Sequence, residues 1–405
     1  MSHLFENKHI LLGVTGSIAA YKAIDLASKL KQAGAVLDVV LTESALKFVS
    51  ALSFQSVTGR KAYTDADLWG GEGHVVHVSL GQAAEIVVIA PASANTIAKL
   101  ANGLADNLLT DAVLVSDCPL VIAPAMESHM YAHRATQGNI EVLKDRGAIF
   151  LGPAEGHLAS GALGKGRFME PVDILAELRL IIARKGSLAG KKIIITAGGT
   201  QEAIDPVRLI TNRSSGKQGY SAAQAALDAG ADVTLISAPT ALSLPHGARF
   251  IPVHSAAEMQ SAVLENIHDA DALIMAAAVA DFRPKAIAKE KIKKSDGLPQ
   301  IVLEPTADIL KEVAKAKKRS GFPRLTIGFA AESQDLIENA RQKLAAKDLD
   351  LIVANDISRS DAGFEVDTNA VTLIDRKGRA QSMPVMAKAE VAEKVIDFII
   401  HQLNK

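Results

Sequence analysis

Short apolar runs rich in valine and isoleucine alternate with longer stretches whose apolar positions recur every three or four residues, from one end of the chain to the other. The first pattern suits a strand buried on both faces, and the second an amphipathic helix. Repeated in that order, they predict the α/β class, with parallel sheets covered by helices on both faces. Strands are expected near His9 to Val14, Leu37 to Leu41, Ile86 to Ala90, Pro119 to Ala123 and Ala148 to Leu151. After a helix ending about Ala183, the sequence Arg-Lys-Gly-Ser-Leu-Ala-Gly at 184–190 breaks the pattern, which then restarts. The second set of strands is expected near Lys191 to Thr196, Asp232 to Ile236, Ala272 to Ala276, Leu325 to Phe329, Leu349 to Val353 and Val371 to Ile374. The restart divides the chain into two doubly wound, Rossmann-like domains, 1–187 and 188–405.

A length of 405 residues leaves room for two buried cores, and 48% hydrophobic against 22% charged residues is the balance of a chain that folds. With 44 basic and 45 acidic residues the net charge is -1, which excludes a general attraction to nucleic acid or anionic membrane. Any phosphate must be bound locally. The single cysteine, Cys118, excludes an intramolecular disulfide and a Cys-ligated zinc site, and fits a reducing compartment. The start, MSHLFENKHILLGV, has no basic segment followed by a long apolar core, and no stretch reaches the roughly 18 unbroken apolar residues of a membrane span. A soluble cytoplasmic protein is expected.

The first strand runs into Gly13-Val14-Thr15-Gly16-Ser17-Ile18-Ala19-Ala20-Tyr21-Lys22, where small residues precede a helix whose free N–H groups can hold one phosphomonoester. The same residues also suit a tight turn with no ligand. The spacing is not a full G-x-G-x-x-G, and no GxxxxGK[ST] occurs, which counts against NAD binding and P-loop chemistry. A nicotinamide-dependent dehydrogenase, the reading that two Gly-rich strand-helix units alone would suggest, therefore lacks support. Ala90-Pro91-Ala92-Ser93-Ala94-Asn95-Thr96 lies at the carboxyl end of a buried strand, where open α/β sheets bind ligands. Its hydroxyl and amide groups suit a flat ring's edge, and equally a routine helix N-cap.

Together these segments resemble the flavin-dependent cysteine decarboxylases, whose hallmarks are the phosphate loop, a PASANT stretch, an active-site histidine and a PxMNxxM segment. The resemblance spans about the first 180 residues and implies FMN, with Gly16, Ser17, Thr42, Ser44, Ser93, Ala94 and Asn95 as flavin contacts. It places the histidine at His77, with His74 as the competing position. The implied chemistry explains the flavin: loss of CO2 from a cysteine carboxylate needs an electron sink, and oxidation of the thiol to a thioaldehyde makes one. Two departures stand out. The PxMNxxM segment reads Pro124-Ala125-Met126-Glu127-Ser128-His129-Met130, so Glu127 replaces an asparagine tied to the substrate carboxylate and would repel it unless neutralised or turned away. In the lid-like stretch 156–167, Ser160 stands where many relatives carry a proton-donating cysteine, which leaves water, His157 or Lys165 as donors, or an impaired last step. Because the fold's relatives include regulatory subunits, a non-catalytic flavin-binding domain is the alternative for this half.

The second half opens with Ile195-Thr196-Ala197-Gly198-Gly199-Thr200-Gln201-Glu202-Ala203-Ile204-Asp205-Pro206-Val207-Arg208, then Thr211-Asn212-Arg213-Ser214-Ser215-Gly216-Lys217-Gln218-Gly219. Glycines and hydroxyls at a strand end, followed by a second Gly-bounded helix start, suit phosphates held from two sides. Two ordinary loops would read alike, and Asp205-Pro206 reads equally as a plain turn. AGGTxExxDPVRxIxNxSSGKxG resembles phosphopantothenate-cysteine ligase, and the likeness continues through AAAVADF at 276–282, KIKK at 291–294, GFAAE at 328–332 and AND at 354–356. The domain order is that of the bacterial decarboxylase/ligase fusions. The resemblance implies that CTP with Mg2+ activates 4'-phosphopantothenate as an acyl cytidylate, which the cysteine amine then attacks. Asp281, Phe329, Lys343 and Lys347 match nucleotide contacts, with Asp308 and Ile309 in the matching loop. Lys291 matches the lysine of cytidylate formation, Asn212 the asparagine of the second half-reaction, and Arg208 a holder of the intermediate; no metal ligands are indicated. The five lysines between Pro284 and Pro299 suit a basic lid over a triphosphate. The fusions further imply a homo-oligomer, a dodecamer of trimers and dimers.

Overall fold

A computed structural model describes residues 3–69, 75–293, 300–332, 336–356 and 367–404. His74 and residues 294–299 of the lysine-rich loop lie outside the described residues. Contacts divide the chain into two compact units, one of residues 3–181 and one that begins at residue 182. The boundary expected at 187/188 falls just beyond the helix that ends at Ala183.

The elements of the first unit are β1 (His9–Val14), α1 (Ala20–Gln32), β2 (Val36–Leu41), α2 (Ala51–Thr58), β3 (Ala62–Thr64), α3 (Val76–Ala83), β4 (Ile86–Ala92), α4 (Ala94–Asn102), α5 (Leu108–Val115), β5 (Leu120–Pro124), α6 (Ser128–Ala132), α7 (Arg134–Asp145), β6 (Ile149–Phe150), β7 (Ala154–His157), β8 (Leu163–Arg167) and α8 (Pro171–Ala183). The sheet order is β3-β2-β1-β4-β5-β6, parallel throughout. The valine and isoleucine runs account for this: every residue of β4 is buried, as a strand covered on both faces requires. One core joins Leu11, Ile89, Ile97, Leu108 and Ile140 from the sheet and from α4, α5 and α7. Gly13 lets α5 approach β1, since a Cβ there would stand 2.6 Å from a Leu109 methyl and 2.8 Å from an Ile89 methyl. Gly13→Ala should therefore overpack this core and destabilise the unit by about 1–3 kcal/mol, read as a lower midpoint in urea with unchanged slope.

The second unit contains β9 (Lys192–Ala197), β10 (Gln201–Ala203), β11 (Leu209–Thr211), α9 (Lys217–Asp228), β12 (Asp232–Ser237), β13 (Arg249–Pro252), α10 (Ala256–Asn266), β14 (Ala272–Met275), β15 (Phe282–Pro284), β16 (Leu303–Pro305), α11 (Ile309–Ser320), β17 (Leu325–Glu332), α12 (Leu336–Ala346), β18 (Leu351–Asp356), β19 (Thr368–Asn369), β20 (Val371–Asp375), β21 (Ala380–Ser382), β22 (Met386–Ala387) and α13 (Lys388–Leu403). Its main sheet runs β13-β12-β9-β14-β17-β18-β20-β21. The expectation of a purely parallel sheet fails at one edge: β20 lies antiparallel to β18 and to β21. The turn between β20 and β21 is too short for a crossover, and the Asp375 carboxylate tightens it by accepting the Lys377 and Arg379 N–H groups, each at 3.0 Å. In each unit the strand order reverses beside the first strand, between β1 and β4 and between β9 and β14. That reversal opens a crevice at the carboxyl ends, the usual ligand position in such sheets.

Candidate active sites

In the first unit, β1 ends in a turn whose Thr15 is fully buried. Its hydroxyl donates to the Pro91 carbonyl and accepts the Ser93 N–H, both at 2.8 Å, so the ends of β1 and β4 are fastened across the crevice. Gly16 lies against the loop after β2, where a Cβ would stand 2.5 Å from the Ser44 Cβ. Thr42 shapes that loop by accepting the Ala45 N–H at 3.3 Å. The Ser17 hydroxyl accepts the Ala19 N–H at 3.3 Å, and no side chain caps α1; with the Ala20 and Lys22 N–H groups given to the Ser17 and Ala19 carbonyls, at 3.0 and 2.9 Å, the first turn keeps the Tyr21 N–H for an anion. Ser93 is the N-cap of α4, accepting the Thr96 N–H at 3.3 Å, and Ala94 and Asn95 begin that helix. The seven residues expected at a flavin thus surround the carboxyl ends of three adjacent strands. His77 sits on α3, which packs on α5 and β1. Its Nδ1 is buried and finds no hydrogen-bond partner among the described residues.

Met126 and Glu127 follow β5. The Met126 N–H donates to the Gly166 carbonyl at 3.1 Å, and a Cβ on Gly166 would come within 2.2 Å of the Met126 carbonyl oxygen, so hairpin β7–β8 lies directly on this segment. Glu170, just past β8, accepts from Lys22 of α1 at 2.7 Å and from Arg167 at 2.7 Å, which anchors the hairpin's base. Ser160 is exposed at the hairpin's tip. Glu127 proves to be the N-cap of α6: it accepts the Ser128 hydroxyl at 2.7 Å and the His129 N–H at 2.6 Å, with the Met130 N–H at 3.3 Å and the His129 ring Nδ1 at 3.0 Å. The Ser128 hydrogen bond, followed by those from His129 and Met130, outweighs partial desolvation and draws the carboxyl down to about 2. The charge that would repel a substrate carboxylate is therefore present but turned into its own helix turn. Being held below the usual carboxylate value, the cap supports the folded state above about pH 4.5 and weakens as pH falls toward 2. Glu127→Ala should speed amide exchange at His129 and Met130 by about tenfold at neutral pH and leave global unfolding almost unchanged.

In the second unit, two buried threonines after and within β9 fix the wall of the crevice. The Thr196 hydroxyl accepts the Ala277 N–H at 3.2 Å, and the Thr200 hydroxyl accepts the Ala280 N–H at 2.9 Å. Beyond this wall lies a cavity of about 400 Å³ whose lining includes all six residues expected at a nucleotide: Asp281, Asp308, Ile309, Phe329, Lys343 and Lys347. Asp308 caps α11 through the Lys311 N–H and pairs with Lys347 at 3.3 Å. The lining also holds Lys217 and Lys388, which the sequence did not single out. Among the described residues, four lysines and two aspartates thus line the cavity, with Lys217 paired to Asp367 and Lys347 to Asp308.

Asn212, Arg208 and Lys291 are not in that lining. Asn212 reaches it indirectly, its amide donating to the Ala278 carbonyl at 3.2 Å. Arg208 and the Lys291 segment are joined instead through Asp205, a buried residue that reads in sequence as part of a turn. Its carboxylate accepts the Val207 and Arg208 N–H groups at 2.8 Å, the Ile292 N–H at 3.2 Å and the Arg208 guanidinium at 2.9 Å. Arg208 also donates to the Ile292 carbonyl at 3.1 Å. Among the described residues no cluster of three His, Cys, Asp or Glu side chains is arranged to hold a metal, and no helix is long and apolar enough to cross a membrane.

Residues 1–183 match the family model described as Flavoprotein, and residues 188–403 the one described as DNA/pantothenate metabolism flavoprotein C-terminal domain. The chain is 48% identical over 399 residues to the coenzyme A biosynthesis bifunctional protein CoaBC of Bacillus subtilis, covering 98% of this chain and 97% of that protein. It is 42% identical over 398 residues to the protein of the same name from Vibrio cholerae, covering 98% of each. Among solved structures, the C-terminal domain of a coenzyme A biosynthesis bifunctional protein CoaBC shares 40% identity and covers 54% of this chain and 99% of that one, with a TM-score of 0.47. Likeness of this degree along nearly the whole length, in both halves and in one order, means that the chain belongs to the bifunctional coenzyme A biosynthesis proteins, with a flavoprotein domain first.

Proposed function

We propose that the second domain joins cysteine to 4'-phosphopantothenate after CTP activates the carboxylate, and that the first domain decarboxylates the product to 4'-phosphopantetheine with FMN. The observation that carries the ligase half is the cavity in which Lys343 and Lys347 stand with two further lysines beside Asp281, Asp308 and Phe329. A carboxylate is a poor electrophile, and bringing a polyanionic triphosphate to it requires fixed cations and oriented donors. Mg2+ would share that load while keeping most of its water. Arg208 and Lys291, tied together through Asp205, would hold and neutralise the acyl phosphate as it forms, and Asn212 would orient it for the cysteine amine.

For the decarboxylase half, the uncapped start of α1 with Ser17 and Ser44 would hold the FMN phosphate, and Ser93, Ala94 and Asn95 the ring edge. The orphaned Nδ1 of His77 and the small side chains at the end of β4 fit such a group. FMN bound there supplies a reversible oxidation that turns the substrate sulfur into an electron sink. His77 would handle the proton at the thiol, and hairpin β7–β8 would exclude water over Met126. With a serine at its tip, the last proton would come from Lys165, whose ammonium lies 5.6 Å from the Tyr131 ring centre, from His157, or from water. We place the enzyme in the cytoplasm as a homo-oligomer, possessing the trimeric and dimeric contacts that the fusion implies.

Mass spectrometry of the purified chain with 4'-phosphopantothenate, cysteine, CTP and Mg2+, after recording its visible spectrum, tests both halves. Accumulation of 4'-phosphopantetheine by a yellow protein is the expected result. A halt at phosphopantothenoylcysteine would leave a ligase carrying a non-catalytic flavin-binding domain, and no product at all would sink the proposal.

A further inference from the structure

Gly199 and Thr200 lie between β9 and β10, outside the lining of the second unit's cavity, and two loops rest on them. On one side is the cavity wall. The Thr200 N–H donates to the Ala278 carbonyl at 3.1 Å, the Ala278 N–H donates to the Gly198 carbonyl at 2.8 Å, and the Thr200 hydroxyl accepts the Ala280 N–H at 2.9 Å. On the other side is the loop after β11, which carries Asn212. The Thr211 hydroxyl donates to the Thr200 carbonyl at 2.9 Å, and the Asn212 side-chain amide donates to the same Ala278 carbonyl at 3.2 Å. Gly199 lets that loop close in, because a Cβ there would stand 2.9 Å from the Asn212 carbonyl oxygen and 3.4 Å from the Thr211 hydroxyl oxygen.

Thr200 is fully buried, and its N–H, carbonyl and hydroxyl are all engaged, so it holds the wall and the Asn212 loop in one fixed relation. The rest of the site has its own supports. The Thr306 hydroxyl donates to the Ala280 carbonyl at 2.6 Å and the Thr306 N–H to the Asp281 carbonyl at 2.9 Å, which secures the nucleotide end of the wall. Arg208 and the backbone beside Lys291 are joined through Asp205. What depends on Thr200 and Thr211 is the placement of Asn212. A carboxamide whose nitrogen is committed to a carbonyl has its orientation set, and its oxygen is left as an acceptor in a known place.

On the ligase reading above, we propose that Thr200 and Thr211 are positioning residues for Asn212 and set the rate of the second half-reaction, the attack of cysteine on the acyl cytidylate. In that step the amine nitrogen bonds to the acyl carbon, the bond from that carbon to the CMP oxygen breaks with its electron pair staying on CMP, and one amine proton passes to water. Asn212, held by its nitrogen, presents its oxygen to the amine N–H and aligns the attack. A carboxamide free to turn would also offer its nitrogen, and a misaligned nucleophile reacts slowly. Formation of the cytidylate, which falls to the nucleotide contacts with Arg208 and Lys291, does not use this alignment.

Rapid-quench measurements on the full-length chain with CTP, Mg2+ and 4'-phosphopantothenate separate the two steps. Pyrophosphate release in the first turnover reports the first, and amide formation on adding cysteine reports the second. Thr200→Val keeps the side chain's shape and removes the acceptor for the Ala280 N–H, whereas Thr211→Val cuts the tie between the loop and Thr200 at an exposed position. Each should slow amide formation by about tenfold or more, keep first-turnover pyrophosphate release within about threefold, and let the acyl cytidylate accumulate. Thr200→Ser and Thr211→Ser retain the hydroxyl and should restore amide formation to within about threefold of the parent chain. Equal slowing of both steps, unchanged amide formation in the valine variants, or no rescue by serine would each overturn the assignment. If Thr200→Val unfolds, as a melting curve would show, Thr211→Val and Thr211→Ser decide the matter. A parent chain that releases no pyrophosphate would instead remove the ligase reading on which the assignment rests.

Discussion

Alanine at position 77 is expected to stop decarboxylation and leave ligation running: phosphopantothenoylcysteine should accumulate at the parent rate, and formation of 4'-phosphopantetheine should fall by about 10²–10⁴-fold. The reason lies in the ring's surroundings. A buried nitrogen with no partner among the described residues is unfavourable for folding, by about 1–3 kcal/mol in typical cases, so a purely structural histidine at this site would be poorly chosen. His77→Ala removes that orphan, and the melting temperature should hold or rise while the product stalls. The flavin spectrum serves as the control, because the residues proposed to hold the cofactor's phosphate lie just before α1 and after β2, not on α3. Retained decarboxylation would end the assignment of His77.

Asp205→Ala should cut ligation by about 10²-fold or more, with a lower kcat and a raised KM for 4'-phosphopantothenate but little change in CTP affinity. Asp205 touches neither substrate in the proposed arrangement; it is a positioning residue. One carboxylate holds the turn at Val207, the Arg208 guanidinium and the backbone beside Lys291, so its loss loosens both groups proposed to hold the acyl phosphate. Asp205→Asn keeps the volume and part of the acceptor capacity, and should fall between the two. Burial alone would raise this carboxyl's pKa; the N–H groups of Val207, Arg208 and Ile292, with the Arg208 charge, outweigh it and hold it below the usual 3.8. The network is therefore complete above that value and is lost only as pH falls through a lower one, so an acid limb of ligase activity near pH 5 or 6 would have to come from another group. If CTP affinity falls in step with activity, the network supports the whole cavity and not the acyl end alone.

The strands were legible because valine and isoleucine runs leave few alternatives for a buried segment, and β1, β2, β4, β9 and β12 stand within a residue or two of where those runs put them. The antiparallel edge was not. A strand carries no local mark of its direction, and what turns β21 back is the four-residue turn tightened by Asp375. The glycine and hydroxyl motifs gave the positions of both crevices, yet they drew attention to Gly16 and Ser17 and passed over Thr15, whose side chain is hidden from solvent and works on the backbone of another strand. Glu127 looked like an obstacle because sequence gives charge and not direction; its role as a cap depends on a bend that only the fold supplies. Lys217 and Lys388 meet because α13 packs on α9, a contact with no periodic signature.

The Thr15 hydroxyl also bears on preorganisation. With the Thr15 N–H, which donates to the Pro91 carbonyl at 3.2 Å, it closes the ends of two neighbouring strands onto each other, so the floor of the first crevice is fixed by the protein's own bonds. A floor already held in place spares a guest resting on it the cost of ordering those backbone segments, which leaves more of the contact energy to appear as affinity.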